Sequence, residues 1–212
     1  MIKTKKDLKK FIYEDNGYLN DIRDKKGRFF MKLVHDEEYM ICKYLKYLRK
    51  QEYYINTSGG NKIKRVMALY YERKKHNLGN KLGFYIGPNC FDSGLTIYHH
   101  GSIIVNPDAK IGKNCKLHGN NCIGNKGNSS ETPIIGDDVD IGFGAVIIGD
   151  VSLANGVTVG ANAVVTKSVN KEKSVLKERF HACHSRDHRP YRPGTGHLRP
   201  AHAGAAAQPS GA

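Results

Sequence analysis

Residues 135–169 read "IGDDVDIGFGAVIIGDVSLANGVTVGANAVVTKSV", and an aliphatic residue returns there at every sixth position: Ile135, Ile141, Ile147, Leu153, Val159 and Val165. Glycine follows it at Gly136, Gly142 and Gly160. Four places after it stands something small or a valine, at Val139, Ala145, Val151, Val157 and Ala163. Carried backward with the same step, the pattern takes in Val105, Ile111, Leu117 and Ile123 and misses only at Ser129. Ten of these eleven positions are aliphatic, where the background is roughly one in four. A period of six fits neither an α-helix nor the two-residue alternation of a hairpin array.

Such a period suits a three-sided prism. Each six-residue unit makes one short strand and one corner, so about three units complete a coil. The aliphatic side chain then points to the axis and stacks on its like in the neighbouring coil. Backbone hydrogen bonds join the coils at the ~4.8 Å strand spacing. Corners demand residues that tolerate positive φ, and Gly, Asn and Asp are abundant here. Cys115 falls at the small-residue position and reads as packing.

With those residues in view, the segment resembles the hexapeptide repeat of the left-handed parallel β-helix acyltransferases. The fold class expected is mainly β: a left-handed parallel β-helix over 81–170 behind an α-helical N-terminal region over 1–80. In that region three apolar stripes stand at helical spacing: Leu8, Phe11 and Ile12; Ile41, Tyr44, Leu45 and Leu48; and Ile63, Val66, Met67, Tyr70 and Tyr71. All three read as helix-packing faces, and "NTSGGNK" (56–62) separates the last two helices. Residues 171–212 shift to Ala, Pro, Gly, His and Arg and predict a disordered low-complexity tail, foreign in composition to the body.

Composition narrows the function classes. The 212 residues suffice for one good core with an appendage. No apolar run approaches the ~20 residues of a membrane span, and no apolar stretch follows the basic start "MIKTKKDLKK". A cytoplasmic protein without membrane insertion is expected. Cys42, Cys90, Cys115, Cys122 and Cys183 show no C-x-x-C pairing, so reduced, packed thiols and no metal are expected. The net charge of +14 would suit a nucleic acid or a phosphorylated ligand. No basic-aromatic module accompanies it, and a polyanionic cosubstrate is the better expectation than nucleic acid.

Two adjacent histidines, His99 and His100, stand in "TIYHHGS" (96–102). Spacing leaves their exposure open. Ile97 and Ile103, six apart, put His99 two places past an inward position, whereas counting back from Val105 puts His99 itself inward. A slip of two residues near 103–105 must reconcile the two counts. The stretch "GFYIGPNCFDSGLTIYHHG" (83–101) resembles the entry of serine-acetyltransferase-like O-acetyltransferases from surface-polysaccharide gene clusters. That resemblance implies His99 as general base, taking the acceptor's proton and returning it to the departing thiol in a direct transfer from acetyl-CoA. It also implies a homotrimer with each active site between two prisms. "GFGA" (142–145) and "GANA" (160–163) match stretches that line coenzyme A, implicating Gly144, Ala145 and Ala163, with Lys167 available to a phosphate. Tyr98, His100 and His118 are the candidate acceptor-side residues, with a groove-lining or corner role open for both histidines. The loop "NKGNSSETP" (125–133) is expected to project beside the cleft.

Departures from the resemblance carry equal weight. Serine acetyltransferases have an aspartate in "DIHP" where this chain has Tyr85, an aspartate before the catalytic histidine where it has Tyr98, and a later histidine where it has Thr132. A sugar hydroxyl is therefore expected as acceptor rather than serine, and another carboxylate or carbonyl must orient the imidazole. Serine O-acetyltransferase and a noncatalytic β-helix binding protein remain the competing expectations.

Overall fold

In the computed structural model, which describes residues 1–15, 25–127 and 129–177, four helices precede thirteen short strands. The tail beyond 177, with Cys183, lies outside the described residues. Helix α1 (Lys5–Glu14) opens on a reciprocal cap: Thr4 Oγ1 accepts from the Asp7 N–H and Asp7 Oδ2 from the Thr4 N–H. Helices α2 (Lys25–Leu33), α3 (Glu37–Asn56) and α4 (Lys62–Leu82) follow. Asp36 caps α3 and Asn61 caps α4, each accepting an N–H from the first turn with its side chain.

The stripe Ile41, Tyr44, Leu45 and Leu48 is buried as its spacing predicts, each residue 1% exposed. The stripe expected on α4 is not buried throughout. Ile63, Val66 and Tyr70 face outward, Ile63 at 75% exposure, while Met67 and Tyr71 are half-buried. Helix α4 instead buries Ala68, Lys75, Leu78, Gly79 and Leu82. Close approach decides this face: a Cβ on Gly79 would lie 2.6 Å from the Phe84 carbonyl oxygen and 3.1 Å from the Tyr44 ring. Lys75 is tolerated because its Nζ donates to the Ile86 carbonyl at 2.8 Å.

The strands wind as three parallel sheets. Sheet I holds β1 (Phe84–Ile86), β3 (Ile103–Val105), β6 (Cys122–Gly124), β9 (Val146–Ile148) and β12 (Val164–Val165). Sheet II holds β4 (Lys110–Ile111), β7 (Ile134–Ile135) and β10 (Ser152–Leu153). Sheet III holds β2 (Thr96–Ile97), β5 (Lys116–Leu117), β8 (Asp140–Ile141), β11 (Thr158–Val159) and β13 (Val175–Leu176). The chain visits III, I and II in turn, so each circuit is one coil of a parallel β-helix.

Register measures the coil. Val105 pairs with Ile123, Ile135 with Leu153 and Ile147 with Val165, each 18 positions apart. The predicted inward residues from Val105 to Val159, Ser129 excepted, are at most 4% exposed, and the small corner residues Ala109, Cys115, Val139, Ala145, Val151, Val157 and Ala163 are buried. Ser129 is displaced because Ile123 pairs with Ile147, 24 positions on. Six extra residues therefore form the loop at 125–133. The winding also continues past 170, through a bridge at Val169 and through β13.

A buried ionic clamp fastens the helices to the first coil. Arg49 donates from Nε to Asp15 Oδ2 at 2.6 Å and from Nη1 to Glu52 Oε2 at 3.0 Å. The same guanidinium reaches the Phe91 and Asp92 carbonyls at 2.8 and 2.7 Å. Asp15 Oδ1 accepts from the Gly94 and Leu95 N–H groups, and Glu52 Oε1 from Asn89 N–H. Burial pushes the Asp15 carboxyl up, opposed by the Arg49 charge and these hydrogen bonds. The clamp fixes α3 against the coil, and so fixes what the start of α3 can touch.

Candidate active site

The two histidines occupy the edge where sheet III turns into sheet I. In later coils that turn spans six positions, from Leu117 to Ile123, Ile141 to Ile147 and Val159 to Val165. In the first coil it spans eight, from Ile97 to Val105, with Ile103 inward as well. The two-residue slip thus falls within the histidine corner, and the surplus chain bulges outward. His99 and His100 side chains are 66% and 63% exposed, which settles the open question of phase.

Helix α4 braces the bulge from behind. It ends at Gly83 in the left-handed region, and a Cβ there would lie 2.6 Å from the Gly101 carbonyl oxygen. Gly101 N–H donates to the Leu82 carbonyl and Ser102 N–H to Asn120 Oδ1 of the next coil.

A residue that sequence reasoning missed reaches the same corner. Glu37, the first residue of α3, accepts at Oε1 from the His100 backbone N–H at 2.6 Å and lies 2.9 Å from His100 Nδ1. The same oxygen is 3.7 Å from His99 Nδ1, beyond hydrogen-bond length. Burial raises the Glu37 carboxyl, but the His100 N–H, the His100 ring and the charges of both imidazoles outweigh it and leave it below its ordinary value. In the sequence Glu37 looks like any acidic residue of a helix's first turn. No signal there tied it to a histidine 63 positions away.

A second imidazole–carboxylate pair sits one coil on. His118 Nε2 lies 2.8 Å from Asp140 Oδ1, and the Tyr98 and His118 rings lie 4.7 Å apart. Tyr98 stands beside His118 because its N–H donates to the Leu117 carbonyl. The exposed Phe143 ring would meet a Cβ on Gly119 at 3.1 Å, so it covers the turn just after His118.

The corner segments 98–102, 118–121, 142–145 and 160–163 stack along one edge, joined by Gly144 N–H to Gly119 O and Asn162 N–H to Phe143 O. Gly144 is half-buried there. Ala145 and Ala163 point inward, and their N–H groups bond within their own turns to Gly142 and Gly160 carbonyls. They would offer a ligand a smooth surface and no free donor. Lys167 is exposed on a different edge, where sheet I turns into sheet II, together with the 125–133 loop. Asn125 ties that loop down, donating to the Ser129 carbonyl and accepting from Asn106 Nδ2. Among the described residues no group of three His, Cys, Asp or Glu side chains is arranged to hold a metal ion.

Helices capping a coiled stack of three parallel sheets form the fold of the serine acetyltransferases. The soybean serine acetyltransferase apoenzyme superposes with a TM-score of 0.61 over 82% of this chain and 68% of its own, at 22% identity. Isoform 3 from Entamoeba histolytica, in complex with cysteine, gives 0.59 over 82% of this chain and 59% of its own, at 16% identity. In sequence, a protein of Escherichia coli K12 named as a colanic acid biosynthesis acetyltransferase, WcaB, is 35% identical over 86 residues, 40% of this chain and 53% of WcaB. Serine acetyltransferase of Staphylococcus aureus Mu50 is 31% identical over 84 residues, 39% of each chain. The chain thus spans about half the length of WcaB, and less of the staphylococcal enzyme. No family model matches it. Over that shared length the chain is similar to proteins named acetyltransferases, and its fold is that of the serine acetyltransferases.

Proposed function

We propose that the protein is an acetyl-CoA-dependent O-acetyltransferase whose acceptor is a hydroxyl of a sugar or surface-polysaccharide precursor, with His99 as general base. The acceptor oxygen attacks the thioester carbonyl while the imidazole takes its proton. The carbon–sulfur bond then breaks, and the proton passes to the leaving thiolate. The observation that carries the reading is the outward bulge of two imidazoles at a β-helix corner, in a chain whose sequence relatives are named acetyltransferases. Tyr98, His118 and Asp140 would meet the acceptor through an aromatic face and polar groups. Gly144, Ala145 and Ala163 would line the thioester's approach along the same edge.

The reading includes a left-handed coil and a homotrimer. Support for assembly comes from the outer face of sheet I, where Tyr85, Ile104, Cys122, Val146 and Val164 stand in register as an apolar ladder. Sheet III presents Thr96, Lys116, Asp140 and Thr158 at the same positions. Parallel sheets with an apolar outer face are normally covered. Sheet I is flanked by the histidine edge on one side and the Lys167 edge on the other, so packing it about a three-fold axis would bring unlike edges of two copies together. Lys167 would then reach a phosphate beside the neighbour's histidines.

The staphylococcal relative and the fold neighbours favour a second reading, serine as acceptor. Thiol release from acetyl-CoA, measured against a panel of sugars and serine, separates the two. Transfer to sugars supports the first, and preference for serine supports the second. His99→Ala is expected to lower turnover by about 10²–10⁴-fold with the fold intact; retained turnover would reject His99 as base.

A further inference from the structure

We propose that Glu37 is the positioning carboxylate of the histidine corner, acting through His100 to hold the bulge that carries His99. The inference rests on the acetyltransferase reading for its catalytic consequence, and on geometry alone for the contact itself.

An ionised carboxylate only accepts hydrogen bonds, so the ring nitrogen 2.9 Å from Glu37 Oε1 must carry its hydrogen. When the His100 ring is neutral, the contact thereby fixes it as the Nδ1–H tautomer. Because the same oxygen also accepts the His100 backbone N–H at 2.6 Å, ring and main chain are held together. The bulge contains two more residues than any later turn from sheet III into sheet I, and this double contact is what α3 supplies to order it. His99 Nδ1 at 3.7 Å lies in the field of the same charge without bonding to it. A positive charge forming on either imidazole during proton transfer would be offset there. The carboxylate comes from the helical region, whereas the aspartates expected by resemblance would have stood in the prism, at Tyr85 and Tyr98. The structure therefore replaces their task from a separate element, one anchored by the Arg49 clamp.

Two variants divide the role. Glu37→Gln keeps an acceptor for the N–H groups and loses the charge; Glu37→Ala loses both. Long-range ¹⁵N–¹H correlation of the His100 ring is expected to show the Nδ1–H tautomer in the wild type and in Glu37→Gln. In Glu37→Ala it should shift to the Nε2–H form that water favours. For turnover, Glu37→Ala, which removes the orienting partner, is expected to lower kcat about 10–100-fold, the size seen when a metal-bound histidine loses its partner, with KM for acetyl-CoA changed less than about twofold. Glu37→Gln, which forfeits only the charge, should lose less. Thr4→Ala, which removes the cap of α1 and leaves the first turn of α3 whole, should lower the melting temperature and leave tautomer and kcat in place. An unchanged His100 tautomer in Glu37→Ala overturns the contact. Wild-type kcat in both variants overturns its catalytic consequence. If the wild type transfers acetyl to no acceptor, the function above falls, and the ring spectra still decide whether Glu37 holds His100.

Discussion

Glu37 Oε1 binds two groups of one residue, and its protonation sets when that hold exists. Its folded-state value is depressed below the ordinary 4.5. The contact is therefore complete above the unfolded value and lost as pH falls through the lower folded one. The difference in melting temperature between the wild type and Glu37→Gln is expected at neutral pH and should close as the pH falls through the folded value, which lies below 4.5. A gap that persisted in acid well below that value would contradict the assignment. Behind the corner, Gly83 shows how glycine can be required twice over. Gly60 and Gly83 both hold positive φ, at 85° and 80°, but a Cβ on Gly60 meets nothing within 4 Å while one on Gly83 meets the Gly101 carbonyl. Gly60→Ala should cost about 1–2 kcal/mol from backbone strain alone. Gly83→Ala should cost visibly more in a urea melt, because it also pushes the histidine corner outward.

Between elements, the Arg49 clamp carries the most weight. Its guanidinium is wholly buried with two carboxylates and two carbonyls around it. Arg49→Met leaves Asp15 and Glu52 without their counter-charge and is expected to destabilise the fold by about 3–5 kcal/mol, read from chemical denaturation. A loss under 1 kcal/mol would mean that the clamp is not what holds the helices to the prism. The same scale shows what the sequence could express. The six-residue comb foretold coil, axis and corner columns, because each inward residue repeats a local rule that its neighbours also obey. The stripe from Ile41 to Leu48 was legible for the same reason. The buried face of α4 was not, because Gly79 and Lys75 win it through close approach to Phe84 and a bond to the Ile86 carbonyl, neither of which has a period. Arg49 with Asp15 and Glu37 with His100 each join separate elements at one residue pair, so no spacing rule announces them. His99 was legible as a candidate through its motif, and only the structure showed that the two surplus residues lie at its own corner.

At the scale of the molecule, the sides of the prism are unequal. Sheet I turns Ile104 and Val164 outward, at 47% and 67% exposure, in line with Tyr85 and Val146. A single copy leaves this ladder in water and keeps the histidine corner and Lys167 on different edges. If three copies close around sheet I, as proposed above, the ladder is covered and a composite site forms, so assembly and turnover should fail together. Ile104→Lys or Val164→Lys places a charge in the covered face without touching the inward residues Ile103, Val105 and Val165 that hold the coil. Each is expected to shift the protein from trimer to monomer in sedimentation, with the β signal in circular dichroism retained and acetyl transfer reduced at least tenfold. Thr158→Lys, on the outer face of sheet III, should change neither. A trimer that survives both sheet I substitutions would move the interface to another face, and a monomer with full turnover would place the whole site within one chain.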